Sequence, residues 1–142
     1  MKRINGFSLI EVMVAVGIVA ILASVAIPSY RDYVTRGKLT EAYTNLATQR
    51  VKMEQFYQDT RTYTGACQNG TVAPKPTDTN NFKYTCNIAD QTYTITADGQ
   101  SSGGLANFQF TIDQANNRAT SNVPSGWKKS TTCWIRNKDG SC

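Results

Sequence analysis

Histidine is absent from these 142 residues. Without an imidazole, neither a Ser/His/Asp nor a Cys/His catalytic group can be assembled, and the commonest zinc ligand is missing. Carboxylates are sparse as well: ten Asp and Glu stand against fifteen Lys and Arg, and none form an acid/base pair with recognisable spacing. Neither enzymatic activity nor a cofactor or metal is expected. The positive balance is itself small. Lys2 and Arg3, next to the N-terminus, account for +2 of the net +5, and the remaining +3 is too mild to imply a nucleic-acid partner on its own. Length excludes a second core, since 142 residues supply one domain of about 100 residues and an appendage.

What is present is unevenly placed. Much of the 40% hydrophobic content lies between Phe7 and Pro28, while the rest is rich in Thr, Asn, Gln, Gly and Tyr. From Val12 to Tyr30 run 19 residues without a charge, which as a helix at ~1.5 Å per residue would span ~28 Å, close to a bilayer's hydrocarbon thickness. Lys2 and Arg3 before it would stay in the cytoplasm by the positive-inside rule, so the carboxyl end faces outward. A secretory signal would place a small-residue cleavage site after its apolar run. Here the small residue, Gly6, comes before it.

The run Gly6-Phe7-Ser8-Leu9-Ile10-Glu11 resembles the class III signal of type IV pilins and pseudopilins, and the likeness continues through Ala26-Ile27-Pro28-Ser29-Tyr30. The resemblance implies cleavage between Gly6 and Phe7 by a prepilin peptidase at the cytoplasmic face, then N-methylation of Phe7. The apolar run is thereby kept as membrane anchor and, later, as packing surface. A carboxylate within an apolar helix costs roughly 2.5 kcal/mol or more unless paired or near the interface, so Glu11 asks for a partner. In the family the matching carboxylate pairs with the new N-terminal amine, its own or a neighbour's, and sets the stagger of assembly. Pro28 has no N–H, leaves the carbonyl of Ser24 unpaired and is expected to kink the helix; family members bend or melt the helix in this region.

Beyond Arg31 the apolar positions thin to a stripe, Leu39, Ala42, Tyr43, Leu46, Met53, Phe56 and Tyr57, at three- and four-residue steps. The heptad pattern is too short for a coiled coil, so the stripe reads as a face covered by a sheet. The helix would run to Gln58 or Asp59, about 50 residues and ~75 Å. Thr60 to Asn81 breaks the pattern with Gly65, Asn69-Gly70, Pro74 and Pro76, a long loop that should be functional or pinned. Asn69-Gly70-Thr71 matches a glycosylation sequon, although a plain turn is the simpler reading. Alternation around Phe82 to Ile88, Tyr93 to Ala97 and Phe108 to Ile112 gives half-buried strands, with Ala119 to Val123 as a fourth. Fold class is therefore α+β: a long N-terminal helix on an antiparallel sheet of about four strands, which matches the pilin roll that the resemblance implies. The divisions are 1–6 leader, 7–30 transmembrane and assembly helix, 31–59 amphipathic half, and 60–142 outer head.

Cys67, Cys86, Cys133 and Cys142 allow three pairings, all on the outer side where disulfides form. The expected pairing joins Cys67 to Cys86, pinning the long loop to the first strand, and Cys133 to Cys142. The latter ring resembles the C-terminal disulfide loop of many pilins. Lys128, Lys129, Arg136 and Lys138 interleave with Trp134, a composition able to hold DNA by phosphate contacts and stacking, or else a packed tryptophan among solvated lysines. The resulting expectation is a structural subunit, major or minor, of a type IV pilus. It would insert in the bacterial inner membrane by one pass and then pass into an extracellular filament serving adhesion, twitching motility or DNA uptake. Partners would be other pilin subunits, prepilin peptidase, the inner-membrane assembly machinery, the membrane, and DNA or host and abiotic surfaces. The alternatives are a type II secretion pseudopilin, disfavoured by a tail with a lone Asp139 where major pseudopilins bind calcium, and a membrane-anchored DNA-binding module that never polymerises.

The mature chain should begin at N-methyl-Phe7. Intact mass of the protein from sheared surface filaments should show loss of Met1 to Gly6 plus one methyl group, and a chain retaining Lys2 would contradict the assignment.

Overall fold

The computed structural model describes residues 7–142, so Gly6 lies outside the described residues. The chain divides into two compact units between Val34 and Thr35. One helix, α1 (Leu9–Thr60), contributes to both. Its start is fixed locally: the Glu11 N–H donates to Ser8 Oγ at 3.3 Å, which makes Ser8 the N-cap, and Glu11 falls in the first turn, where a carboxylate opposes the positive end of the helix dipole. In the first unit α1 continues through Pro28. Ser29 Oγ donates to the Val25 carbonyl at 3.1 Å and Ser24 Oγ to that of Ile21 at 2.7 Å.

In the second unit α1 extends one residue past the expected end, to Thr60, and buries Leu39, Ala42, Leu46, Gln49, Met53 and Phe56. Spacing of three and four residues puts all six on one face. Against them lies an antiparallel meander of β1 (Phe82–Ile88), β2 (Tyr93–Gly99), β3 (Gln109–Asp113) and β4 (Arg118–Asn122), in that spatial order. Register lines up the inward positions: Tyr84 faces Ala97, Ile95 faces Ile112, and Ala97 faces Phe110. A bulge at Gln109/Phe110 interrupts the β3–β4 ladder and leaves Phe110 opposite the buried Thr120. Helix and sheet residues share one buried cluster, in which Tyr43 meets Phe110 edge-on at 5.1 Å between ring centres.

The long connection from Arg61 to Asn81 is pinned at several points, as a loop buried at Tyr63, Ala66 and Ala73 must be. Cys67 is joined to Cys86 of β1, and the Cys67 N–H donates to the Ala73 carbonyl at 2.8 Å. The buried Gln49 amide supports the same carbonyl from the helix. Further on, Glu41 accepts hydrogen bonds from Thr79 Oγ1 and from Asn81 Nδ2. The Asn69-Gly70 pair forms the turn read from its sequence: Thr71 N–H closes on the Gln68 carbonyl and Gly70 has φ of 86°, a conformation that favours glycine. Gly99 serves a different need, since a side chain there would run into the Leu105 carbonyl.

Asp78 gives this loop a pH dependence. Its carboxylate accepts from Lys75 Nζ at 2.7 Å and from the Tyr84 N–H at 2.9 Å, and these bonds, the Lys75 one foremost, hold its pKa below the ordinary carboxylate value. A depressed folded-state pKa means that the contribution is complete above the unfolded value of about 3.9 and is lost as pH falls through the lower folded value. Asp78→Asn should therefore cost stability near neutrality, where that contribution is complete, and converge on the parent as pH falls below about 4, as urea titrations from pH 7 down through that window would show.

Candidate functional site

The first candidate surface is the uncovered face of α1. Phe7, Leu9, Ile10, Met13, Ile21 and Leu22 are each between 62% and 82% exposed, and the most apolar stretch of the helix is long and apolar enough to cross a membrane while nothing in the structure buries it. Water does not tolerate a continuous apolar surface of this extent, so a bilayer or other helices must cover it. Glu11 is exposed within it.

The C-terminal segment builds the second surface by docking on the helix. Trp134 and Ile135 are buried. Ile135 N–H donates to Thr120 Oγ1 and that hydroxyl donates to the Cys133 carbonyl, both at 3.0 Å, which satisfies the buried threonine of β4. Tyr43 Oη donates to the Ile135 carbonyl. Burial pushes the Tyr43 phenol well above its ordinary pKa, an effect that the nearby Arg136 guanidinium partly offsets. After Ile135 the chain closes a ring by joining Cys133 to Cys142. Within that ring Arg136 N–H donates to the Ser141 carbonyl at 2.7 Å.

The five residues grouped from sequence as a basic aromatic patch do not share one place. Trp134 is withdrawn: it is 7% exposed, its indole N–H donates to the Thr111 carbonyl at 2.8 Å, Tyr43 stacks on it at 5.6 Å and the Arg118 guanidinium lies 4.8 Å from its ring centre. It is the packed tryptophan of the simpler reading and no platform for a base. Lys128 and Lys138 are brought together by the Lys128 N–H to Lys138 carbonyl bond of 3.0 Å, with Lys129 beside them in sequence, all exposed. Asp139 lies among them, its pKa held below the ordinary value chiefly by the Ser141 N–H, which subtracts from the local charge. Arg136 instead lines a groove of about 890 Å³ with Arg36, Arg118, Tyr43, Trp134 and Asn137. Sequence reasoning missed Arg36 and Arg118. They lie 82 residues apart, and only the docking of the C-terminal ring onto α1, sealed by Arg36 Nη1 donating to Asn137 Oδ1 at 3.1 Å, makes them neighbours. Among the described residues no cluster of three or more potential metal ligands occurs.

An uncovered apolar helix of membrane-spanning length, continuing into a helix-on-sheet head stapled by two disulfides, defines a membrane-anchored filament subunit of the pilin kind. Residues 1–27 match the prokaryotic N-terminal methylation motif, and residues 28–107 match the family model of the type IV minor pilin ComP, DNA uptake sequence receptor. The chain belongs to the type IV pilin family and carries a ComP-type minor pilin domain, within a family of structural proteins anchored in the membrane and then assembled into extracellular pili. It is similar to the type IV major pilin protein PilE1 of Neisseria gonorrhoeae, 34% identical over 70% of this chain and 54% of that one. Fimbrial protein EcpC of Eikenella corrodens is 40% identical over 39% of this chain and 36% of that protein. The chain thus spans between about a third and a little over half the length of these curated relatives. In fold it resembles the non-core minor pilin PilV of Neisseria meningitidis, with a TM-score of 0.56 at 19% identity over 66% of this chain and 93% of that one. A type IV pilin from Shewanella oneidensis gives 0.51 at 15% identity over 70% and 96%.

Because Trp134, Ile135 and Thr120 hold the segment from within, the Cys133→Ser/Cys142→Ser double variant should lose roughly 2–3 kcal/mol yet keep a protected Trp134. Chemical denaturation gives the first quantity, and tryptophan fluorescence with acrylamide quenching tests the second.

Proposed function

We propose that this chain is a minor subunit of a type IV pilus, made in the inner membrane and polymerised through the face that runs from Phe7 to Tyr30. The uncovered apolar helix carries this reading. Cleavage after Gly6 frees the Phe7 amine, N-methylation leaves it basic, and extraction from the bilayer exchanges lipid contacts for contacts with the helices of other pilins. An ionised Glu11 is unfavourable in that apolar setting unless an amine meets it, so pairing with the terminus of a neighbouring subunit both offsets the cost and fixes the stagger. Pro28, with Ser24 lacking its backbone donor, is the place where α1 would yield during assembly. Adhesion and twitching motility are properties of the whole filament, to which a minor subunit contributes by being incorporated.

Glu11→Gln tests the pairing cleanly, because glutamine can still occupy the third helical position of a capped helix while it removes the charge. The variant should insert, be cleaved and melt like the parent, but its recovery in sheared filaments should fall about tenfold or more, the equivalent of ~1.4 kcal/mol. Parental recovery would refute the pairing role.

DNA uptake is the finer reading favoured by the description of the matching family, a DNA uptake sequence receptor, and by the exposed lysines of the C-terminal ring. Lys128, Lys129 and Lys138 would meet phosphates, and a filament bearing several heads would convert weak contacts into avidity. Replacing these three lysines with Gln should lower DNA capture by filaments, and the slope of log affinity against log salt should become shallower by up to about 2.7, or about 0.9 for each phosphate that is no longer neutralised. Filament number should not change. Undiminished capture would leave the lysines as a solvated surface, and capture by a chain never found in filaments would favour the anchored binding module.

A further inference from the structure

The arginine groove is used neither in assembly nor in the DNA reading above. Its walls are a helix flank, Arg36, Thr40, Tyr43 and Thr44, and the C-terminal ring with β4, which contribute Arg118 and Arg136. All three arginines are exposed, and no carboxylate side chain is among the lining residues. Their neighbours keep them in place: Arg36 is tied to Asn137, Arg118 lies over Trp134, and the Arg136 backbone is fixed by Ser141. Three guanidiniums around a concave surface of mixed polarity, those of Arg36 and Arg118 held by side-chain contacts, suit a phosphodiester, which accepts paired N–H bonds from arginine.

The chain itself indicates which phosphodiester. Arg36 stands six residues after Tyr30, the last residue of the uncharged run, and Tyr30 and Tyr33 are both highly exposed, at 69% and 74%, as interfacial aromatics are in membrane anchors. Six residues extend at most about 22 Å even when fully stretched. However the two units are arranged, the Arg36 edge of the groove stays tethered within that distance of the end of the span. We propose that, before assembly, the groove binds the phosphate of an anionic phospholipid, so that the head rests on the membrane surface and must let go of it to enter a filament. The inference rests on reading the first half of α1 as a membrane span.

The test uses the full mature chain in lipid nanodiscs of phosphatidylcholine, with or without phosphatidylglycerol, and follows amide exchange across residues 133–142. Exchange there should slow by at least about fivefold when phosphatidylglycerol is present, the factor that one basic group contributes at an anionic surface, and the three together would shift partitioning by about a hundredfold. The variant Arg36→Gln/Arg118→Gln/Arg136→Gln should lose the difference between the two lipids. Equal exchange in both lipids, or the same slowing in the triple variant, would overturn the proposal; the wild-type comparison needs no variant to fold. Two further arms keep phosphatidylcholine and add inorganic phosphate or a short DNA duplex at matched phosphate. Slowing by inorganic phosphate as large as by phosphatidylglycerol would make the groove a free-phosphate site, and slowing by the duplex alone would make it a nucleic-acid surface; either result overturns the lipid assignment. Carbonate extraction separates the two levels of the reading. A chain that is extracted defeats the span and the groove proposal with it, whereas a chain that stays embedded but shows no lipid difference defeats only the groove.

Discussion

One side of one helix must be covered by the sheet, and the head is built around that requirement. Leu39, Ala42, Leu46, Met53 and Phe56 are each worth on the order of 1 to 3 kcal/mol when removed from water, and only a surface of matching width, such as Tyr84, Ile95, Phe110 and Ile112 present, can remove them together. Because the stripe advances along the helix in steps of three and four, its direction sets the line along which the meander must lie. Residues 31–38, with Arg31, Asp32, Arg36 and Lys38 among them, separate that stripe from the uncovered apolar surface. One continuous element therefore presents a narrow face to a protein core and, further toward the N-terminus, an all-round face to lipid or to other helices.

The flanks of that stripe organise the irregular chain on either side. Glu41 receives Thr79 and Asn81, and Gln49 receives Ala73, so one flank holds the long loop. Tyr43 and Arg36 receive Ile135 and Asn137, so the other flank holds the C-terminal ring. Lys38 Nζ reaches the Gly103 carbonyl at 2.7 Å and fixes the β2–β3 connection. Buried backbone groups need partners, and a polar head with few large apolar side chains gains more from distributing these anchors along a rigid helix than from relying on the short strands alone. The two disulfides reinforce segments already held by hydrogen bonds.

Elements with regular period are legible in the sequence. The apolar stripe gives the helix to within a residue or two of its end, and alternation gives β1 over Phe82–Ile88 and places the other three strands. Boundaries move where packing outweighs alternation: Phe108 has the alternating pattern of a strand residue because it is buried, yet it precedes β3 and packs on Trp127 at 5.0 Å. Gln49 escapes a reading by apolar period since a polar residue interrupts the pattern, although it falls three residues after Leu46 and four before Met53. Ser8 belongs to the signal run, while the spacing Ser8-x-x-Glu11 also marks a helix start.

The amino-acid sequence by itself determined the division into a membrane-length run and a mixed head, the junction at Gly6 and Phe7, the lone carboxylate of Glu11 and the class of the fold. These depend on local order along the chain, on period and on charge placement, which a linear reading preserves. The tertiary structure decided what the basic residues do. Lys128, Lys129, Trp134, Arg136 and Lys138 lie within eleven positions of one another, yet Trp134 turns into the core, Arg136 turns toward Arg36 and Arg118, and the lysines remain outside. The physical reason is that burying Trp134 and Ile135 against Tyr43 and Thr120 fixes the direction of every side chain that follows, and the partners in that choice come from a helix and a strand distant in sequence.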